Sequence, residues 1–283
     1  MITYVSPDDM QAAANRARSE GRRIAVVPTM GALHRGHLAL VREARSQGDV
    51  VITTIFVNPT QFGPAEDFDR YPRSLQHDSK LAEEAGTDIL FAPAAEAIYP
   101  PQYQTYVTVR DVSARLEGAL RPDHFRGVVT VVAKLVNLTK PHAAVFGQKD
   151  VQQVAVIRRM LRDLNFDIRL IVVPTVREPD GLALSSRNVY LSSSQRKEAP
   201  VLFASLRRAE SMIRSGVRSR QAIHDAVQET IAGGSSAVID YVSIANAETF
   251  DELEEFRSGA SVVVSLAARF GSTRLIDNIC ITV

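Results

Sequence analysis

The stretch Ile24-Ala25-Val26-Val27-Pro28-Thr29-Met30-Gly31-Ala32-Leu33-His34-Arg35-Gly36-His37-Leu38-Ala39-Leu40-Val41 decides how the chain is read. An apolar run, Ile24 to Val27, stops at Pro28-Thr29-Met30-Gly31, and His34-Arg35-Gly36-His37 then opens an amphipathic segment. The pattern predicts a strand, a glycine turn and a helix. His34 and His37 stand three residues apart, so both imidazoles share one face of the helix's first turn. Unpaired backbone N–H groups and the positive end of the helix dipole already favour an anion there. That outlines a phosphate site. Gly36 agrees with it, because glycine within a helix costs about 1 kcal/mol relative to alanine and is tolerated where a ligand approaches the backbone. Zinc ligation is one alternative, but it needs three or four protein ligands and no Cys or His cluster supplies the others. Ordinary helix-surface histidines are the second, against which the preceding strand and turn weigh.

Outward from this stretch, strands and helices alternate. Val50 to Val57 is a near-continuous β-branched run suited to a buried parallel strand. Asn58-Pro59-Thr60-Gln61-Phe62-Gly63-Pro64 follows it, at the sheet edge where open α/β folds bind ligands. The segment from Pro59 to Pro72 is rich in Pro, Gly and acids and predicts a long surface loop, either a functional lid or a hydrophilic linker. Upstream, Ser6-Pro7-Asp8-Asp9 has the form of a capped helix start and Gly21 of its end. Downstream, a helix is predicted from about Ser74 to Ala85, a strand from Asp88 to Pro93 and a short strand from Tyr106 to Val109. A helix from about Phe125 to Leu138 and a strand from Ala143 to Phe146 complete the series. Such alternation predicts an α/β fold with a Rossmann-like, doubly wound parallel sheet.

Gly147-Gln148-Lys149-Asp150 closes that last strand, and Lys149 and Gln153 lie four apart on one helical face. A lysine at a strand-to-helix junction favours a phosphate contact over a solvated surface position. After another apolar strand, Ile168 to Val176, Arg177-Glu178-Pro179-Asp180-Gly181 breaks the pattern. The domain boundary is placed there, giving residues 1–176 and 177–283. Leu184-Ser185-Ser186-Arg187-Asn188 then offers two hydroxyls and a guanidinium, groups that suit polyphosphate oxygens. Helical segments from about Ser194 to Arg214 and Ser219 to Ile231, with strand-like runs at Ile239 to Ile244, Ser261 to Ala267 and Leu275 to Thr282, predict a smaller C-terminal α+β domain.

Composition sets outer limits. The 283 residues are 45% hydrophobic and 23% charged with net charge +1, giving no bulk electrostatic reason to expect nucleic acid or a membrane surface. Cys280 is the sole cysteine, so no internal disulfide forms, and its apolar neighbours favour a structural thiol. With no basic-then-apolar leader and no bilayer-length apolar run, a cytoplasmic protein is expected.

His34-Arg35-Gly36-His37 resembles the His-x-Gly-His signature of the nucleotidylyltransferase superfamily and class I aminoacyl-tRNA synthetases. Taken with Phe56-Val57-Asn58-Pro59-x-Gln61-Phe62, Phe146-Gly147-Gln148-Lys149-Asp150-x-Gln152-Gln153, Leu184 to Asn188 and Thr273-Arg274-Leu275-Ile276-Asp277-Asn278, it resembles the pantothenate synthetase (pantoate–β-alanine ligase) family over essentially the whole chain. The resemblance implies a two-step ligase. ATP and pantoate give a bound pantoyl adenylate and pyrophosphate, and β-alanine then yields pantothenate and AMP. It assigns Met30, Gly31, Ala32, Leu33, His34, Arg35, Gly36 and His37 to ATP, with Gly147, Gln148, Lys149, Asp150, Val176, Leu184, Ser185, Ser186 and Arg187. His37, His34 and Lys149 become the catalytic groups; Gln61 and Gln153 hold pantoate, and Gln61 borders β-alanine. Asp78 and Arg121 match lesser positions of the site. Magnesium is implied through substrate oxygens more than through a dedicated protein cage, the smaller domain is implied to close over ATP, and a homodimer is implied. Arg35 stands where the family usually has an acid, and Gln148 replaces a common Glu. A nucleotidylyltransferase, which keeps the nucleotide on its product, and a non-enzymatic nucleotide-binding protein are the competing classes.

Overall fold

A computed structural model of the chain describes residues 1–64 and 66–283. These residues form two compact units, Met1–Gly147 with Val156–Pro174, and Gln148–Ala155 with Thr175–Val283. The first is built on six strands, β1 (Ile2–Tyr4), β2 (Ile24–Thr29), β3 (Val50–Ile55), β4 (Ile89–Phe91), β5 (Ala143–Gly147) and β6 (Arg169–Val173). They lie in the order β1-β4-β3-β2-β5-β6, every neighbouring pair parallel. From β2 the chain steps one way to β3 and β4, then crosses to β5 and β6 on the other side. The direction of winding therefore reverses between β2 and β5, and the carboxyl ends of these strands frame the crevice at which such sheets bind ligands.

Helices cover the sheet. They are α1 (Pro7–Ser19), α2 (Arg35–Gln47), α3 (Leu75–Ala85), the short α4 (Ala95–Ile98) and α5 (Glu117–Leu120), and α6 (His124–Thr139). Ser6 Oγ accepts from Asp9 N–H and Pro7 occupies the first turn, so α1 begins where the sequence places its cap. Ile24, Ala25, Val26 and Val27 are fully buried, as a strand covered on both faces must be. Ala25, Val27, Val51, Ala143 and Val145 pack with Leu40, Val41 and Ala44 of α2. Ile24 and Val26 alternate to the opposite face. α6 lies against β2, and α1 packs on α6.

Three elements depart from the sequence pattern. β1 is an edge strand of three residues, too short to show a period, and it pairs with β4. Tyr106 to Val109, predicted as a strand, has no ladder partner among the described residues; Thr130 Oγ1 instead accepts from Val107 N–H at 3.0 Å and donates to its carbonyl at 3.4 Å. The helix predicted from Ser194 to Arg214 divides at Pro200 into α8 (Ser193–Glu198) and α9 (Val201–Arg214), because proline supplies no N–H to continue the ladder. Within the predicted Pro59 to Pro72 loop, a 3₁₀ turn occupies Pro59–Gln61, and Ala65 lies outside the described residues.

The second unit pairs β7 (Val238–Asn246), β8 (Ser261–Phe270) and β9 (Thr273–Thr282) antiparallel in that order. Val262, Val264, Leu266, Ala268 and Phe270 alternate along β8 into a core shared with Leu202, Leu206 and Ile213 of α9 and with Ile223, Val227 and Ile231 of α10 (Arg220–Gly234). Gln148–Ala155 also belongs here. The helix it opens, α7 (Val151–Asp163), therefore begins in the second unit and ends in the first. The cause is β9, where Asn278 holds the backbone of Gln148 and Lys149 by hydrogen bonds.

Two helical glycines separate packing from propensity. A Cβ on Gly127 of α6 would stand 2.3 Å from the Thr60 carbonyl oxygen and 2.8 Å from Gln61 N, whereas one on Gly233 of α10 would meet nothing within 4 Å. Gly127→Ala is expected to destabilise the protein by about 1–3 kcal/mol through overpacking. Gly233→Ala is expected to stabilise it by up to about 1 kcal/mol through helix propensity. Urea unfolding midpoints of the two variants check both signs.

Candidate active site

The turn after β2 is held from below by one carboxylate. Asp78 on α3 is 1% exposed, and its Oδ2 accepts from Ala32 N–H and its Oδ1 from Leu33 N–H, both at 2.8 Å. Gly31 and Ala32 have φ of 83° and 49°, the left-handed region. A Cβ on Gly31 would lie 2.9 Å from Asp78 Oδ2, so the turn needs glycine both for its φ and for the carboxylate's approach. Thr29 Oγ1 accepts from Gly31 N–H at 3.2 Å and donates to the Thr54 carbonyl at 2.6 Å, joining the turn to β3.

That turn delivers His34 to the cap of α2. His34 Nδ1 accepts from Gly36 N–H at 3.2 Å, and His37 Nδ1 accepts from His34 N–H at 3.3 Å. An Nδ1 that accepts leaves the ring proton on Nε2. Both imidazoles thus present Nε2–H as a donor, with their rings 4.1 Å apart between centroids. The first turn of α2 adds the oriented N–H groups and dipole of a helix start. Arg35, between them, is exposed.

Gln61 ends the 3₁₀ turn beyond β3. Asn58, 1% exposed, donates from Nδ2 to Gln61 Oε1 at 3.0 Å and to the Gly127 carbonyl at 3.2 Å. Its Oδ1 accepts from Thr60 Oγ1 at 2.9 Å and Tyr99 Oη at 3.0 Å. Gln61 Oε1 is thereby occupied and its Nε2 turned toward Met30, 3.0 Å from Sδ. The Gln61 carbonyl accepts from His124 Nδ1 at 2.9 Å and Arg121 Nη2 at 3.3 Å. Arg121 pairs through two nitrogens with Glu66, at 2.6 and 2.5 Å, and its Nη1 meets His124 Nε2 at 3.2 Å. Asn58 and His124 escaped the sequence reading of roles; a buried Asn and a His opening a helix have no local signature.

Burial raises the Glu66 carboxyl, but the hydrogen bond and charge of Arg121 outweigh it and leave the pKa below the ordinary value. Burial and the Arg121 guanidinium both disfavour a charged His124, taking its pKa down to about 4.

In the second unit, Lys149 sits in a 3₁₀ turn, Gln148–Asp150, directly after β5, with Nζ 3.7 Å from Asp150 Oδ1. Gln153 is half-buried on the first turn of α7. Leu184 N–H donates to the Val176 carbonyl at 3.0 Å, which brings these two predicted ATP residues together across a tight excursion. Ser185 caps the next 3₁₀ turn, Ser186–Tyr190, its Oγ accepting from Arg187 N–H at 3.2 Å. Asp277, 3% exposed, takes both Nη groups of Arg177 at 2.6 and 2.9 Å. Burial lifts the Asp277 carboxyl above its ordinary pKa, against the pull of Arg177.

A family model described as pantoate–β-alanine ligase matches residues 3–280. The chain belongs to the pantoate–β-alanine ligase family. Accordingly it is an enzyme, a ligase that joins pantoate to β-alanine. A pantothenate synthetase of Acetivibrio thermocellus is 51% identical over 275 residues, 97% of each chain. The pantothenate synthetase structure from Thermus thermophilus has 47% identity and a TM-score of 0.92, with 99% of both chains covered. A pantoate–β-alanine ligase from Francisella tularensis, solved with β,γ-ATP and β-alanine, has 33% identity and a TM-score of 0.78, covering 99% of this chain and 97% of its own.

The lowered pKa of His124 has a measurable consequence. Between its ordinary value of 6.5 and about 4, the unfolded chain binds a proton that the folded chain refuses, so stability falls as pH falls through this window. His124→Asn, which removes the titration, is expected to lose less stability than the parent between about pH 7 and pH 4.5, read as urea midpoints. Parallel losses would contradict a neutral, buried His124.

Proposed function

We propose that the ligase works by adenylation: ATP activates pantoate as pantoyl adenylate, and β-alanine then takes the acyl group. The observation that carries this reading is the paired Nε2 donors at the start of α2, fixed by backbone N–H groups at Nδ1. In the first step a pantoate carboxylate oxygen attacks the α-phosphorus and pyrophosphate leaves. His34 and His37, with the N–H groups of Met30 to His37, stabilise charge on the phosphates. Lys149, with Gly147, Gln148 and Asp150, extends this donor set, and the second unit further supplies Leu184, Ser185, Ser186 and Arg187, with Val176 at the nucleotide. In the second step the β-alanine amine attacks the acyl carbon, its proton is lost to solvent, and AMP leaves with the bonding pair.

Gln61 and Gln153 read pantoate, their neutral amides orienting the carboxylate without quenching its nucleophilicity. Gln61 also borders the amine substrate. Asp78 and Arg121 serve the site indirectly: each is engaged by backbone or side chains of the turns it holds. Magnesium enters with the substrate, as Mg–ATP. Among the described residues no group of three or more His, Cys, Asp or Glu is placed to hold a metal ion, and Mg²⁺ is commonly shared between few carboxylates and phosphate oxygens. A cytoplasmic homodimer completes the proposal, on family resemblance.

Supplying chemically prepared pantoyl adenylate divides the two steps. His37→Ala and Lys149→Ala are each expected to slow pyrophosphate release from ATP and pantoate by about 10²–10³-fold, the usual penalty for one such donor. Single-turnover conversion of preformed adenylate and β-alanine should fall much less. Equal losses in both steps, with ATP affinity intact, would show that these groups serve the acyl transfer as well.

A further inference from the structure

Thr273-Arg274-Leu275-Ile276-Asp277-Asn278 is one of the stretches by which the family is recognised, yet none of its side chains has a role in the chemistry described above. On β9 its last two residues are buried, Asp277 at 3% and Asn278 at 2% exposure. Asn278 Nδ2 donates to two successive backbone carbonyls, Gln148 at 3.1 Å and Lys149 at 2.9 Å. Gln148 Nε2 returns a hydrogen bond to Asn278 Oδ1 at 3.3 Å. Asn278 is itself fixed: its N–H donates to Asp277 Oδ1 at 2.8 Å, and Asp277 is gripped by both arms of Arg177. The Arg177 guanidinium lies 3.7 Å from the centroid of the Phe203 ring and donates to the Gly181 carbonyl at 3.1 Å. A run of defined contacts thus leads from the second unit's core to the peptide of Lys149.

The Lys149 side chain is held less tightly, its ammonium 3.7 Å from Asp150. Its aim is therefore set mainly by the backbone that carries it, and Asn278 sets that backbone. We propose that Asn278 is a positioning residue for adenylation, fixing the Gln148 and Lys149 carbonyls so that Lys149 points its ammonium at the nucleotide phosphates. The proposal rests on the assignment of Lys149 as a phosphate donor. It explains why an asparagine 129 residues from Lys149 occupies a buried strand position that an apolar side chain would fill at lower desolvation cost. It also gives the buried Arg177–Asp277 pair a task beyond stability, for which such pairs are poor instruments.

A double-mutant cycle tests it, with single-turnover pyrophosphate release from ATP and pantoate as the readout. Asn278→Ala is expected to slow this step by about 10²-fold, the scale of a misplacement near 1 Å. Asn278→Ser, which keeps one donor, should fall between variant and parent. In a Lys149→Ala background, Asn278→Ala should cost less than about twofold more, because coupled residues are not additive. The same factor of loss in both backgrounds would overturn the proposal, as would a lowered urea midpoint with an unchanged rate. If Lys149→Ala alone leaves pyrophosphate release at the parental rate, the phosphate assignment fails and this proposal with it. If Lys149→Ala is slow and Asn278→Ala is not, the assignment stands and only the positioning role is lost. Should Asn278→Ala not fold, the cycle is run with Asn278→Ser, whose expected partial loss must likewise vanish in the Lys149→Ala background.

Discussion

Asp78 carries the constraint from which the first unit's chemistry follows. A carboxylate with 1% exposure is tolerable only if its oxygens are satisfied, and two of the bonds that satisfy it come from the N–H groups of Ala32 and Leu33. Those bonds stabilise two consecutive left-handed residues, a conformation that costs an alanine about 1 kcal/mol or more. With the turn so folded, His34 arrives as the cap of α2 and His37 one turn later. Their Nδ1 atoms are then engaged by backbone donors, which leaves each ring proton on Nε2, the tautomer that the proposed phosphate contact requires.

The same economy recurs elsewhere. Asp150 apart, the side chains proposed to meet substrate are neutral or positive, while the acids near them are buried or paired and act on backbone or on arginine. Glu66 balances Arg121, Asp277 balances Arg177, and Asn58 spends its amide on Gln61 and the α6 backbone. Removal of such a group leaves partners unsatisfied, so these positions couple stability to the alignment of the site. A ligase that develops negative charge on pyrophosphate gains from this arrangement, because its donors are already oriented when the charge appears.

Much of the fold was legible because parallel strands covered on both faces must be apolar throughout. Val50 to Ile52 and Ala143 to Val145 advertise themselves that way, and helix starts such as Ser6-Pro7 are local chemistry. Tyr106 to Val109 misled for a physical reason: β-branched alternation shows what suits a strand, but Thr130 takes both polar groups of Val107 that a ladder would use. The motif residues carry local patterns, from which their ligand roles are proposed. The contacts their supports make carry no such pattern, although the family resemblance names Asp78, since Asp78 acts across 46 residues, Asn58 across 69 and Asn278 across 129. Such partners carry no periodicity and no local motif, only the requirement, visible after folding, that buried polar atoms be paired. The position of Gln148–Ala155 illustrates the point: chain order attaches it to the sheet, while hydrogen bonds attach it to the second unit.

Attack of a carboxylate on the α-phosphorus of ATP is the step we propose the turn after β2 to support. Pantoate carrying the heavy oxygen isotope in both carboxylate oxygens tests it most directly, with ATP and β-alanine as co-substrates and mass spectrometry of the nucleotide and phosphate products. Adenylation requires one labelled oxygen to leave in the phosphate of AMP, with unlabelled pyrophosphate. Label in inorganic phosphate beside ADP, or unlabelled AMP, would contradict the account.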